Sequence, residues 1–246
     1  LAIMQGPYEN REHGVLVRHG HEFDVYNYEP DNSIPIGDVN TVELFVRLPF
    51  LIKSRFPDLE DELRSVEDLR PQWRIFDYLQ STYPEKEIQA YIKEATEKTI
   101  DHFFAIPYVS VWMKKHDTWS PFDEADKLEY MLRFFKSIPI DWTKNLLRVF
   151  SNFEIKEHHY KEMAQEEHGL YVVYGHTHKE DIAFLGQHEG LHRYYINSGT
   201  WRERIEASSK GQFSRYKTMT YAIFYKKEER RTEFPAFELW NGALRE

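Results

Sequence analysis

The order of sequence textures limits what this chain can fold into more than any single motif. Runs rich in β-branched and aromatic residues lie at both ends, and a long helix-forming stretch lies between them. Near the start, Gly14-Val15-Leu16-Val17-Arg18-His19 predicts a strand ending at His19. Past the middle, Leu170-Tyr171-Val172-Val173-Tyr174, 192–196, 220–225 and 233–240 predict further strands, the last at a sheet edge because Pro235 has no N–H to give. Between them, 58–69, 71–82 and 84–103 open on Pro or acidic residues, as helix N-termini prefer. Ser120-Pro121-Phe122-Asp123 predicts a capped start for a helix carrying Leu128, Met131, Leu132 and Phe135. A helix over 154–168 is expected to stop at Gly169. A shorter one is expected to start at Asp38, carry Val42, Phe45 and Val46 on one face, and end or kink at Pro49. The simplest arrangement is an α/β core made of 1–55 and 170–246, with 56–169 as a helical insertion or cap.

Composition removes several function classes. The net charge of −9 argues against a broad nucleic-acid surface. With no cysteine there is no disulfide framework and no thiolate metal site, which points to a reducing compartment and a cytoplasmic location. The longest nearly apolar run, 103–113, falls short of the roughly 20 residues of a transmembrane segment. No basic-then-apolar leader is visible at the N-terminus. Nothing in the residues sets an oligomeric state.

Chemistry concentrates where strands are predicted to end. Tyr174-Gly175-His176-Thr177-His178 follows an apolar strand. In extended chain His176 and His178 point the same way, their Cα atoms roughly 6.5–7 Å apart. Imidazoles so placed can each reach a different ion of a two-metal site. Arg18-His19-Gly20-His21-Glu22-Phe23-Asp24 also follows a strand, with two histidines around a glycine and a carboxylate close by. Sites in open α/β sheets lie at the carboxyl ends of strands, so the two clusters point to one shared site. Tyr195-Ile196-Asn197-Ser198-Gly199-Thr200-Trp201 reads as a strand and a tight polar turn able to support the histidine loop. His158, His159 and His168 read as surface residues of a charged helix, and His102, His116, His188 and His192 have no partner pattern.

GHTH after an apolar strand, HGHEFD after another and INSGTW in a third place resemble the C-terminal blocks of calcineurin-like metallophosphoesterases, in the bacterial branch that resembles UDP-2,3-diacylglucosamine hydrolase. The resemblance covers 1–55 and 170–246 and implies part of a β-sandwich flanked by helices, with a large helical insertion. It implies a hydrolase acting on a phosphate ester or pyrophosphate through a hydroxide activated by two divalent ions, with Mn, Fe or Zn best suited. It implies His19, His176 and His178 as metal ligands, and places His21, Asp24 and Asn197 beside the ligands or near substrate. No general acid or base is assigned. The implied partner is a phosphate-containing small molecule or a lipid-linked substrate, the latter making a location peripheral to a membrane an alternative. The family's D-x-H, G-D-x-x-D and G-N-H-[DE] blocks are not in these 246 residues, and Gly37-Asp38-Val39-Asn40 stands on the wrong side of the HGH block to replace one. The residues given are therefore expected to be inactive by themselves, the complete protein an enzyme. The alternative is a truncated or degenerate domain that binds metal or a partner without turnover. A one-metal all-histidine β-barrel site is disfavoured by the helical middle. The aromatic residues of the insertion, Trp73, Phe76, Tyr91, Phe103, Phe104, Trp112, Trp119, Phe134, Phe135 and Trp142, are expected mostly to fill its own core.

Overall fold

The computed structural model describes residues 6–31, 33–59, 63–70, 74–119, 123–137, 157–208, 212–226, 229 and 236–245. The chain is a mixed α/β protein made of two compact units. The first comprises 1–24, 155–203 and 215–246; the second comprises 25–154 and 204–214.

In the first unit, β1 (Tyr8–Asn10) and β2 (Val15–Val17) pair antiparallel. β2 lies parallel to β4 (Tyr171–Tyr174), and β4 lies parallel to β6 (Leu191–Ser198). β5 (Glu180–His188) closes the edge antiparallel to β6, giving the order β1-β2-β4-β6-β5. Successive strand residues face opposite ways. Tyr171 and Val173 therefore pack on one side with Val15, Ile196 and Phe237, and Val172 and Tyr174 on the other with Tyr160, Ala164 and Tyr195. A strand buried on both faces reads as an unbroken apolar run, which is why 170–174 stands out in the sequence. Helix α7 (Glu157–Glu166) supplies Tyr160 and Ala164, one turn apart. β8 (Phe213–Phe224) and β9 (Phe237–Arg245) form an antiparallel pair over Tyr216–Phe224, in which Phe224 and Phe237 join the first of these cores.

The strand β5 is not signalled in the sequence. Its exposed and half-buried residues alternate at a sheet edge, and a register shift at Gly186 breaks the pattern. Its turn, Glu189-Gly190, has φ of 51° and 77°, the two positive values of the tight hairpin turn that Asn-Gly usually announces.

In the second unit, α1 (Ile36–Thr41) runs through a π-helical stretch (Val42–Arg47) into α2 (Leu48–Arg55). Pro49 does not end this helix. It sits at the start of α2, where the wider π turn just before it leaves room for a ring that would otherwise meet the carbonyl four residues back. The helix begins at Ile36 with Pro35 as its cap rather than at Asp38. Within the expected 58–69 helix, Pro57–Leu59 and Ser65–Asp68 are 3-10 turns, 63–64 are helical, 60–62 lie outside the described residues, and Leu69–Arg70 form the strand β3, which pairs parallel with β7 (Glu203–Ala207). α3 (Ile75–Thr82), α4 (Lys86–Ala105), α5 (Pro107–His116) and α6 (Glu124–Ser137) complete the unit. Residues 120–122 lie outside the described residues; Asp123 caps α6, its carboxylate accepting from Asp126 N at 2.9 Å.

Residues 25–55 thus pack with the helices, because Ile36, Leu44, Leu48 and Ile52 belong to the helical core. The helix before Gly169 packs instead with the strands, because its apolar face is Tyr160 and Ala164. Of the insertion's aromatic residues, Phe76, Phe103 and Trp112 are buried in the helical core, Tyr91 and Phe104 lean on it, and Trp119 is fully exposed. Trp73 and Trp142, and the side chains of Phe134 and Phe135, lie outside what is described. No described helix is long and apolar enough to cross a membrane.

The buried carboxylate of Glu29 holds α5 in place. It accepts from Trp112 Nε1 and from Lys115 Nζ, both at 2.6 Å. Glu29→Ala leaves the indole N–H without its acceptor, and a buried unpaired donor costs about 1–3 kcal/mol. Urea unfolding followed by tryptophan fluorescence should show a loss of about that size for Glu29→Ala and a smaller one for Glu29→Gln, which keeps an acceptor. Wild-type midpoints for both would mean that the bond contributes nothing to α5.

Candidate functional site

Because β2, β4 and β6 run parallel, their carboxyl ends fall on one edge of the sheet, and the loops that follow them meet there. Arg18 N donates to Val173 O at 3.0 Å and extends the ladder one residue past β2. The His19 carbonyl then accepts from Gly175 N at 3.2 Å and His176 N at 2.9 Å. Gly20 turns the chain at φ +93°, and a Cβ there would lie 3.3 Å from the Tyr174 ring, so both the angle and the space ask for glycine. The Glu22 carboxylate accepts from Gly20 N at 3.1 Å and lies 3.2 Å from His21 Nδ1 and from Arg18. Glu167 holds Arg18 from a second side at 3.2 Å.

This turn brings three imidazoles together. Ring centres of His19 and His176 are 5.0 Å apart, those of His19 and His21 5.1 Å, and those of His21 and His176 6.5 Å. Asp24 is buried and its Oδ2 lies 2.9 Å from His176 Nε2. An ionised carboxylate only accepts, so in this contact His176 Nε2 is the donor. Burial, and then the neighbouring His176 and His21, push the His19 imidazole below its ordinary value of 6.5. That keeps it in the neutral form that can ligate a metal.

His178 enters through its backbone. Its N–H donates to Gly175 O at 3.1 Å and its φ is +59°, a left-handed turn position rather than the extended geometry expected for H-x-H. The two histidines therefore do not share a strand face. Asn197 is fully buried and ties the turns together: Nδ2 donates to Thr177 Oγ1 at 2.8 Å and to Tyr195 OH at 3.1 Å, and Oδ1 accepts from Gly199 N at 2.9 Å.

Two contributors escaped the sequence reading. Tyr160 on α7 is 1% exposed, with its ring 6.1 Å from that of His176. Its neighbour His159, read as a surface residue, reaches the Phe23 carbonyl with Nε2 at 3.2 Å. The signal for both was the i, i+4 apolar pair Tyr160 and Ala164, which marks the side of α7 that faces the sheet. Among the histidines without a pattern, His102 faces the buried Glu43 at 3.0 Å and His116 stacks on Trp112, so these two do structural work in the helical unit.

Ligands held about 2.1 Å from one tetrahedral ion place imidazole centres about 5 Å apart, the separation of His19 and His176. Among the described residues no three His, Asp or Glu side chains are already set around a single ion position. No protein-family model matches the chain, and no curated protein and no solved structure matches it at a significant level.

Asn197→Ala removes three hydrogen bonds from a buried turn and should cost about 2–3 kcal/mol in urea unfolding. Amide hydrogen exchange at 175–178 should speed up with it, and unchanged exchange would detach Asn197 from the histidine loop. The His19 shift also sets a pH dependence. Its folded value lies below its unfolded one, so its contribution is complete above about 6.5 and is lost as pH falls from there through the folded value. Unfolding in chelator-containing buffer between pH 7.5 and 5 should show that loss for the wild type and a flatter profile for His19→Gln. Parallel profiles would contradict the shift.

Proposed function

We infer that this chain carries one side of a metal-dependent phosphoesterase centre, built on part of a calcineurin-like metallophosphoesterase sandwich. One observation carries the reading: His19 and His176, far apart in sequence, stand with ring centres 5.0 Å apart at the ends of adjacent parallel strands. The support for the fold is the parallel β2-β4-β6 core with histidine loops at its carboxyl edge. His19, His176 and His178 are the residues that would hold two divalent ions, with Mn, Fe or Zn the best match to imidazole and carboxylate donors. Such ions, when bound, lower the pKa of a bridging water toward about 7 and offset charge on a phosphoryl group.

The chain's own residues do the rest. Asp24 orients His176 through the bond to Nε2. Glu22 aims His21, whose half-exposed ring can donate to a phosphate oxygen. Arg18 is held by Glu22 and Glu167, so its charge is spent within the loop rather than on substrate. The substrate class is a phosphate ester or pyrophosphate, small or lipid-linked, met in the cytoplasm or at a membrane surface.

A second reading is metal or partner binding without turnover. It draws on the absence of D-x-H, G-D-x-x-D and G-N-H-[DE] from these 246 residues, which leaves them without a bridging carboxylate.

Mn²⁺ titration followed by calorimetry separates these readings from a structural histidine cluster. His176→Ala and His19→Ala should each weaken Mn²⁺ binding at least about tenfold with unchanged circular dichroism. Affinity equal to wild type in both variants would end the metal reading. Hydrolysis of bis-p-nitrophenyl phosphate by the complete protein, lost in His176→Ala, would then favour the esterase over the non-catalytic alternative.

A further inference from the structure

Helix α7 and the residue after it touch both histidine loops. His159 Nε2 donates to the Phe23 carbonyl at 3.2 Å, on the loop that runs from His21 to Asp24. The Tyr160 ring lies 6.1 Å from that of His176. Glu167, one residue past the helix, holds Arg18 at 3.2 Å. Where this helix sits therefore bears on where the imidazoles sit.

Two restraints on α7 come from its own face: Tyr160 and Ala164 are buried on the sheet, and Lys161 reaches Asp181 of β5 at 2.5 Å. A third comes from β6. The last carbonyls of an α-helix have no partner within it, and one side chain meets those at this end. Arg193 stands two residues before Tyr195 on β6, so it projects to the face that α7 covers. Its Nε donates to Gly169 O at 2.9 Å and its Nη1 to Gln165 O at 3.2 Å. Its Nη2 donates to Ala164 O at 3.3 Å and to Glu167 O. Four carbonyls around the helix end thus meet one planar fork. The positive charge also stands where the helix dipole is negative. A lysine ammonium would bring the charge without the fork. The 10 residues of α7 make a rod of about 15 Å, so a clamp at its carboxyl end also sets His159 and Tyr160 near its start.

We propose that Arg193 is a positioning residue for the histidine cluster. By clamping the carboxyl end of α7 it sets Tyr160 against His176, His159 against Phe23, and Glu167 against Arg18. Use of the cluster by a metal rests on the function proposed above; the positioning does not, and it is read in metal-free protein.

Glu29→Ala loosens the other unit and serves as the control for lost stability alone. Proton–nitrogen correlation spectra of the histidine rings follow the cluster without metal. Arg193→Ala should move the His19 and His176 signals and quicken amide exchange over 157–166 about tenfold. Arg193→Lys should recover part of both changes, and Glu29→Ala should show neither. In calorimetry Arg193→Ala should bind Mn²⁺ about tenfold more weakly and Glu29→Ala as tightly as the wild type. Wild-type ring signals in Arg193→Ala, equal shifts in Glu29→Ala, or unchanged Mn²⁺ affinity in Arg193→Ala overturns the proposal. If Arg193→Ala does not fold, Arg193→Lys decides: shifted ring signals support the clamp and wild-type signals overturn it. If the wild type binds no Mn²⁺, the metal reading fails by itself, and the ring signals still decide for or against Arg193.

Discussion

The carbonyl oxygen of His19 accepts two backbone N–H groups, from Gly175 and His176, and the candidate site depends on that junction. It continues the parallel β2–β4 pairing by the residues that leave the sheet, so the two histidine loops separate only after their backbones have been bonded. The pairing closes a very long loop. That loop costs little more to close than a short one, since the entropy grows only with the logarithm of its length. It needs burial on both faces of β4 to stabilise it, and the cores on either side provide that. Register is held by the same burial. A slip of one residue would exchange Val172 and Tyr174 with Tyr171 and Val173 and disrupt both cores.

Around this junction the polar groups divide into two sets. Arg18, bonded to both Glu22 and Glu167, holds the shape of the 18–24 loop. His19, His21 and His176 gather beside them, with Asp24 on His176 and Glu22 reaching across to His21. With His19 held neutral by burial and by its neighbours, its ring offers a lone pair rather than a positive charge.

The helical unit shows a different use of helix geometry. A six-residue π-helical stretch ahead of Pro49 lets one continuous helix keep its apolar core face while accepting a proline.

What the sequence determined by itself was local. The apolar run at 170–174 and the Val15–Val17 run specify strands buried on both sides, and glycine at 20 specifies a turn between two histidines. From these, the meeting of His19 and His176 was legible, because parallel strands share a carboxyl edge. The edge strand β5 was not, since one half-buried face and a bulge at Gly186 erase the period. Nor were the borders of the two units. Residues 25–55 and the helix α7 carry apolar stripes that could pack on strands or on helices, and only the choice of partner face, Tyr160 against Val172 or Leu48 against the helical core, divides them. Tertiary structure alone decided that His178 turns into a left-handed position while Asp24 comes to rest on His176. Side-chain direction in a loop is set by the hydrogen bonds that close it, and those partners are remote in sequence.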